Sequence, residues 1–286
     1  MKCNILSSGL KNILIIVIIS FNSSCINTGS DHEMARNFQI TGDSLFVISS
    51  QSNDTVDSIQ YKDGKRNGWS KSYQDGVLKN NICYIDGKKN GWEKSYYRNG
   101  SIEFQGVNKN GVKDSTWIWY FKNGVIERKA SFLENDNPFG MEFNYYRNGL
   151  LKNFYFHKIG GTIVYWRTLS KDNKKVEEER GFPIQEAYNR DNFKKGDTFE
   201  LILIMGILPD WKVNLSVTDW RNGTRQKLIS NLQEDNFEKL NFGNRAIIKK
   251  KCEKQGNFKW VIKASIFDKK YKRRINYNDT LSFSVR

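Results

Sequence analysis

The chain has 286 residues with a formal net charge of +15, and 14% of its residues are aromatic. This aromatic share, together with only 3 prolines, excludes an intrinsically disordered chain. The mean hydropathy of −0.66 excludes a polytopic membrane protein, and 2 histidines argue against a histidine-based metal site. We therefore expect one or two compact, basic, β-rich domains that need no cofactor and no metal.

Residues 1–24 have the composition of an export signal. Lys2 and Lys11 provide the positive charge that precedes or borders an unbroken apolar run, Ile13–Ile19. That run is too short to cross a bilayer as a helix, which needs about 20 residues, but it has the length of a signal-peptide core. The sequence therefore predicts an exported protein.

The end of this segment resembles a bacterial lipoprotein signal, in which the lipobox cysteine becomes the lipidated first residue. Here that cysteine is Cys25, preceded by small residues, although Asn22 stands where leucine is usual. The resemblance implies a lipid anchor at Cys25, a polar tether at residues 25–37, and a place in the cell envelope, at the outer membrane of a Gram-negative bacterium. Cleavage by an ordinary signal peptidase and an uncleaved anchor are the alternatives.

An internal repeat occupies residues 61–150. Four segments each carry an aromatic-rich run that ends in Asp-Gly or Asn-Gly. The closing glycines are Gly76, Gly100, Gly124 and Gly149, at spacings of 24, 24 and 25 residues. Because these dipeptides accept the positive φ angles of a type I′ turn, each unit is predicted to form a β-hairpin that stacks on the next.

Aromatic side chains recur at matching strand positions in these units. Within a unit they are spaced so that two of them share one face of a strand. We expect them to form the core between neighbouring hairpins, although an exposed aromatic ladder could instead stack on sugars or nucleobases. The predicted repeat core comprises Trp69, Tyr73, Trp92, Tyr96, Trp117, Phe121 and Tyr145.

The repeat resembles the MORN-repeat superfamily in the variant form of the bacterial YwqK-family proteins, with the pattern Y-x-[DN]-G-K-x-x-G-x-W-x-x-Y-Y-x-N-G. The match is clear from Tyr61 to Gly149; the third unit departs by an insertion before Trp117 and the fourth by Met141 in place of tryptophan. The resemblance implies an elongated antiparallel array of hairpins over residues 38–168. It also implies the family's label of toxin–antitoxin system antitoxin.

Basic residues recur at equivalent turns of the array. Lys65, Arg66, Lys88 and Lys89 form what we call the basic rim. Stacked hairpins would align these cations, which could then meet anionic lipid head groups, acidic glycans or an acidic protein surface. The alternative is that they are solvated turn residues that keep the sheet soluble.

The rest of the chain, residues 169–286, differs from the repeat in composition. Residues 169–195 are charge-dense and predict a linker or a short exposed helix. Residues 196–286 contain about six strand-like segments separated by turn signals, which predict an immunoglobulin-like β-sandwich. Its basic runs at 249–251 and 269–274 could contact phosphate groups or be solvated. The export signal argues against nucleic acid as a partner.

No motif of a known catalytic class is present. Glu93 and Glu142 occupy the same place in two repeats and are expected to be ordinary solvent-facing strand residues rather than an acid–base pair. The sequence therefore favours a non-catalytic envelope lipoprotein that binds a protein partner or an anionic envelope component. An antitoxin-like protein that neutralises a toxin by contact is the first alternative, and a glycan-binding protein is the second.

Overall fold

The structure is a computed structural model that describes residues 35–39, 45–52, 55–133, 136–188, 192–221, 224–233 and 236–286. The predicted signal and Cys25 lie outside the described residues. Every helix or strand element in those ranges is a β-strand, which confirms the all-β class. None of the described residues belongs to a helix long and apolar enough to span a membrane.

The chain divides into two compact units, the first ending at Gly111 and the second covering Val112–Arg286. In the first unit each strand pairs antiparallel with the next, as expected for a hairpin array. Its strands are β1 (Ala35–Gln39), β2 (Leu45–Ser52), β3 (Thr55–Lys62), β4 (Lys65–Gln74), β5 (Val77–Ile85), β6 (Lys88–Tyr96) and β7 (Ile102–Lys109).

The Asp-Gly turns of this unit are type I′, because both central residues have positive φ. Asp75 and Gly76 have φ of 51° and 72°, and Asp86 and Gly87 have φ of 49° and 81°. Asn110-Gly111 follows the same pattern, at 54° and 95°. Only residues that tolerate the left-handed region fit these positions, so the dipeptides specify where each hairpin turns.

The Asn-Gly turns differ from the predicted type I′. At the second repeat the Gly100 N–H donates to the carbonyl of Tyr97 (2.9 Å) and the Tyr97 N–H to that of Ser101 (2.8 Å). These bonds enclose a three-residue loop, a type I turn followed by a left-handed glycine, with φ of 80° at Gly100. Gly124 and Gly149 close loops of the same kind. The loop holds one residue more than a type I′ turn.

The second unit begins with six further strands in sequential antiparallel order. They are β8 (Val112–Tyr120), β9 (Ile126–Phe132), β10 (Pro138–Tyr145), β11 (Leu151–His157), β12 (Ile163–Leu169) and β13 (Val176–Gly181). The linker predicted over 169–195 is therefore wrong at β13, which pairs with β12. Its three consecutive glutamates, Glu177 to Glu179, give no apolar signal because an edge strand can be charged, and charge there discourages edge-to-edge association.

A two-sheet sandwich follows, as predicted. One sheet has the order β14-β16-β20-β19 and the other β15-β22-β21-β17-β18, which is the strand order of an immunoglobulin fold with an additional edge strand on each side of the second sheet. The strands are β14 (Ile184–Tyr188), β15 (Asn192–Phe193), β16 (Thr198–Met205), β17 (Trp211–Arg221), β18 (Thr224–Gln233), β19 (Glu238–Leu240), β20 (Gly243–Lys251), β21 (Gly256–Asp268) and β22 (Arg273–Val285).

One hydrophobic core serves both parts of the second unit. Phe154, Phe156 and Tyr165, on β11 and β12, belong to the same buried cluster as Leu201 and Trp211 of the sandwich. The rings of Phe154 and Trp211 meet edge to face with centroids 6.0 Å apart. The domain boundary expected near residue 168 therefore does not separate two cores, because strands β10–β12 pack on the sandwich.

Arg167 of β12 also links the hairpin strands to the sandwich, through ion pairs. It is 1% exposed, and its guanidinium contacts Asp268 of β21 and donates from Nε to Oε1 of Glu179 on β13 at 2.8 Å. Trp211 Nε1 donates to the same Asp268 carboxylate at 3.1 Å. The two carboxylates compensate the charge of the buried guanidinium. Without them, the unpaired charge of Arg167 would cost several kcal/mol.

Candidate functional site

The turns that carry the basic rim are hydrogen-bonded to one another. The Gly87 N–H donates to the carbonyl oxygen of Arg66 at 2.9 Å, and the Gly111 N–H donates to that of Lys89 at 2.8 Å. Each bond joins the turn of one repeat to the strand start of the repeat before it. The Asp-Gly and Asn-Gly dipeptides thus do more than reverse the chain: they fix successive turns side by side.

Three of the four rim cations face solvent. Lys65, Arg66 and Lys88 are exposed. The Arg66 guanidinium lies 5.3 Å from the ring centroid of Tyr84 and donates to its hydroxyl at 3.3 Å, so its planar head is held in place. Lys65 and Lys88 form no ion pair with any residue in the part of the chain that is described. The stack therefore presents a row of cations at one edge of the first unit.

The fourth rim residue is used internally. Lys89 is half-buried and its Nζ lies 2.8 Å from Oε1 of Glu93. Asp63 and Asp86, which open two of these turns, are exposed and offset part of the positive charge. The rim consequently has a modest net charge, carried mainly by Lys65, Arg66 and Lys88.

The prediction that Glu93 faces solvent is wrong. Glu93 is 9% exposed, and its second carboxylate oxygen accepts a hydrogen bond from Asn108 Nδ2 at 2.7 Å. With Lys89 on the other oxygen, the carboxylate is satisfied on both sides. Burial of a carboxylate is tolerated because it has a cation and an amide as partners.

Glu142, at the same place in the fourth repeat, is buried in the same way and is 7% exposed. Arg128 approaches it with two parallel bonds, Nε to Oε1 at 3.0 Å and Nη2 to Oε2 at 2.9 Å. Nε2 of His157 lies 3.2 Å from Oε2. Burial alone would raise the pKa of Glu142, but His157 and Arg128 outweigh it and lower the pKa to about 2.

This chemistry argues against an acid–base role for either glutamate. A general base works best with a pKa near the working pH and an accessible lone pair. Glu142 instead is fully ionised at neutral pH and has its oxygens occupied by a bidentate arginine. Among the described residues, no group of three or more His, Cys, Asp or Glu side chains is placed to hold a metal ion.

The predicted repeat core is divided between the two faces of the sheet. Trp117 is 2% exposed, whereas Trp92 is 36% exposed with Lys94 Nζ 5.6 Å above its ring. The other five members are half-buried: Trp69, Tyr73, Tyr96, Phe121 and Tyr145. Trp92 therefore does not belong to a buried repeat core.

The distance from the closing glycine explains this division. Trp92 stands eight residues before Gly100, while Trp117 stands seven before Gly124. Because side chains alternate between faces, a difference of one residue moves a side chain to the opposite face. Glu93 and Glu142 also stand seven residues before their glycines, so Trp117 takes their buried position. The spacing from the closing glycine, and not the identity of the aromatic residue, thus predicts which face a side chain occupies.

Sequence reasoning missed the partners of the two glutamates. Asn108, Arg128 and His157 lie on strands next to those of the carboxylates they contact. Only the pairing register could have identified them, and the register depends on loop lengths that differ between Asp-Gly and Asn-Gly turns.

The chain matches no protein-family model and no curated protein. Among solved structures it is similar to a point mutant of Salmonella alpha-2-macroglobulin, at 6% sequence identity and a TM-score of 0.25. That match covers 88% of this chain and 20% of the other, so the chain spans about a fifth of that protein's length.

Proposed function

We propose that the protein is a non-catalytic envelope lipoprotein that uses its hairpin array as a scaffold on an anionic membrane surface. The lipid at Cys25 is the first membrane signal and the basic rim is the second. The observation that carries this proposal is the turn-to-turn hydrogen bond from the Gly87 N–H to the Arg66 carbonyl, which places the turn of Lys88 beside that of Lys65 and Arg66.

The binding free energy expected from the basic rim is that of an auxiliary membrane contact. A basic residue near an anionic membrane surface contributes about 1 kcal/mol. The exposed rim cations Lys65, Arg66 and Lys88 would therefore supply roughly 3 kcal/mol before the nearby Asp63 and Asp86 reduce it. Such an energy gives weak binding by itself, and it can orient a protein that an acyl chain already anchors.

Vesicle binding tests this function. A non-lipidated chain, Cys25→Ser, is mixed with phosphatidylglycerol vesicles and with phosphatidylcholine vesicles and then sedimented. We expect binding to the anionic vesicles only, and a loss of that binding in added salt, because exposed charges are screened within about 10 Å at 0.1 M.

The matched variants have equal net charge. Lys65→Gln/Arg66→Gln/Lys88→Gln removes the exposed rim cations, and Lys239→Gln/Lys251→Gln/Lys259→Gln removes three exposed lysines of the second unit. The first variant should lose most of the binding and the second should keep it. Equal losses in both variants would show that overall charge, and not the rim, attracts the membrane.

A further inference from the structure

The outer face of the five-stranded sheet of the sandwich carries two rows of polar side chains across four strands. The strand pairing places Asn231, Ser216, Lys263 and Asn278 in one row. It places Gln233, Asn214, Ser265 and Asn276 in the next. Neighbouring strands lie about 4.8 Å apart, so each row is roughly 14 Å long.

These amides are not needed to build the sheet. The buried alternates on the same strands, such as Leu215, Ala264 and Ile266, supply the core. Asparagine is depleted in strands, because its side chain competes for nearby backbone groups, while threonine or lysine would serve a merely solvated face better. Four asparagines in two adjoining rows therefore work against local propensity, a pattern that marks functional surfaces.

The amide groups are also unused. Within the part of the chain that the structure describes, the side chains of Asn214, Asn231, Asn276 and Asn278 make no hydrogen bond, whereas Ser265 Oγ accepts one from Arg274 at 3.0 Å. Each asparagine offers two N–H donors and a carbonyl acceptor. A shallow cavity of about 440 Å³ lies over this surface and is lined by all four asparagines and Lys263.

An aromatic ring and a cation complete the surface. Trp220 is half-buried on the same face, and Lys263 Nζ lies 5.5 Å from its ring centroid. Its indole N–H is already donated to Thr218 at 2.6 Å, so the ring rather than the N–H is available. A ring of this kind offers a flat apolar surface beside polar groups.

We propose that this face binds an acidic oligosaccharide. Sugar hydroxyls both donate and accept hydrogen bonds, which the paired donors and acceptors of the asparagine amides match. The Trp220 ring can cover the apolar face of a sugar ring, and the Lys263 ammonium selects a carboxylate on the ligand. This site is independent of the basic rim and adds a second ligand class to the protein.

Oligogalacturonate, an acidic probe, and cello-oligosaccharide, a neutral one, test the proposal. Each is titrated into the native chain while heat and tryptophan fluorescence are recorded. We expect saturable binding of the acidic probe with a change in fluorescence. No binding of the acidic probe overturns the proposal, and equal binding of the neutral probe overturns the assigned ligand class.

Variants locate the binding. Asn214→Thr/Asn276→Thr keeps the strands, since threonine favours them, and should weaken binding by about tenfold or more through lost hydrogen bonds. Lys263→Gln should abolish the preference for the acidic probe. Asn257→Thr and Lys239→Gln lie outside the cavity and serve as controls. Unchanged affinity in the double variant, with unchanged thermal stability, would contradict the proposed site.

Discussion

At the scale of single residues, the most informative feature is that the repeat buries charge. Glu93 and Glu142 hold equivalent places, and each is satisfied by a cation from its own neighbourhood, Lys89 in one case and Arg128 in the other. A buried ion pair adds little net stability compared with well-packed apolar residues, but the loss of one partner is costly because it leaves an uncompensated buried charge. The position seven residues before the closing glycine is therefore buried in each of these repeats, whereas the aromatic residues lie on either face of the sheet.

Replacing Glu142 tests that position. Glu142→Gln leaves Arg128 without a counter-charge in a buried site, so we expect a loss of about 2–3 kcal/mol in the free energy of unfolding at pH 7. Urea unfolding monitored by fluorescence measures it, and Glu127→Gln, at an exposed site on β9, is the control.

Glu142 also makes the free energy of unfolding depend on pH in the acidic range. The pKa of Glu142 is about 2 in the folded chain against an ordinary value of 4.5. A lowered pKa contributes stability that is complete above the unfolded value and disappears as the pH falls from 4.5 towards 2. The difference between native chain and Glu142→Gln should shrink over that window. A constant difference would contradict the ionised, paired state.

Glu186 should behave in the opposite sense. Burial raises its pKa to about 7; Tyr277, which lies 2.8 Å away, acts to lower it, and Asp279 adds to the rise. Stability from such a group is present at pH below 4.5 and is lost as the pH rises through 7. We expect Glu186→Gln to stabilise the chain by about 1–2 kcal/mol at pH 8 and to have little effect at pH 4. Thermal unfolding at both pH values measures this, and stabilisation at pH 4 alone would refute it.

At the scale of elements, turns carry most of what the sequence predicts. Asp-Gly and Asn-Gly located the hairpins correctly because those residues tolerate positive φ. The exact turn type at Asn-Gly was not predictable from the dipeptide, because it depends on one additional loop residue. β13 was missed for a different reason: an edge strand built from Glu177, Glu178 and Glu179 has no hydrophobic period.

Gly124 and Gly140 both have a positive φ angle, but only Gly140 is also closely packed against another part of the chain. Gly124 and Gly140 have φ of 81° and 73°. A Cβ at Gly124 would have no neighbour within 4 Å, whereas one at Gly140 would lie 1.8 Å from the carbonyl oxygen of Phe242. The Met141 N–H donates to that same oxygen at 2.9 Å, so the backbones cannot separate easily.

We therefore expect Gly124→Ala to cost about 1 kcal/mol from strain, and Gly140→Ala to cost well above this, about 3 kcal/mol or more. Chemical denaturation of the two variants provides the comparison. Equal losses would mean that the β10 backbone does not approach Phe242 as closely as described.

At the scale of the whole molecule, local patterns identified hairpins and sandwich strands but not the core they share. Phe154, Phe156 and Tyr165 pack on residues far along the chain, such as Trp211. Hydrophobic periodicity does not show which faces pack together when they are so far apart in sequence. The boundary predicted near residue 168 from the change in composition is therefore wrong, because one core extends across it. The polar rows around Lys263 were missed because they form only when four strands align.

Arg167 tests this shared core. Arg167→Met leaves Asp268 as a buried carboxylate without its cation and leaves Glu179 with Arg273 alone, for which we expect a loss of about 3–5 kcal/mol. If β8–β13 and the sandwich fold together, near-ultraviolet and far-ultraviolet circular dichroism should report one lowered transition for the second unit. Separate transitions, with the sandwich unaffected, would contradict a common core.

The measurement that tests the central proposal most directly is acyl-label incorporation combined with membrane fractionation of cells that express the native chain or Cys25→Ala. We predict that the native chain takes up label and sediments with the outer membrane, and that Cys25→Ala does neither. A native chain that is unlabelled and remains in the cytosol would contradict the envelope scaffold, and partners would then have to be sought among cytosolic proteins, as the antitoxin resemblance implies.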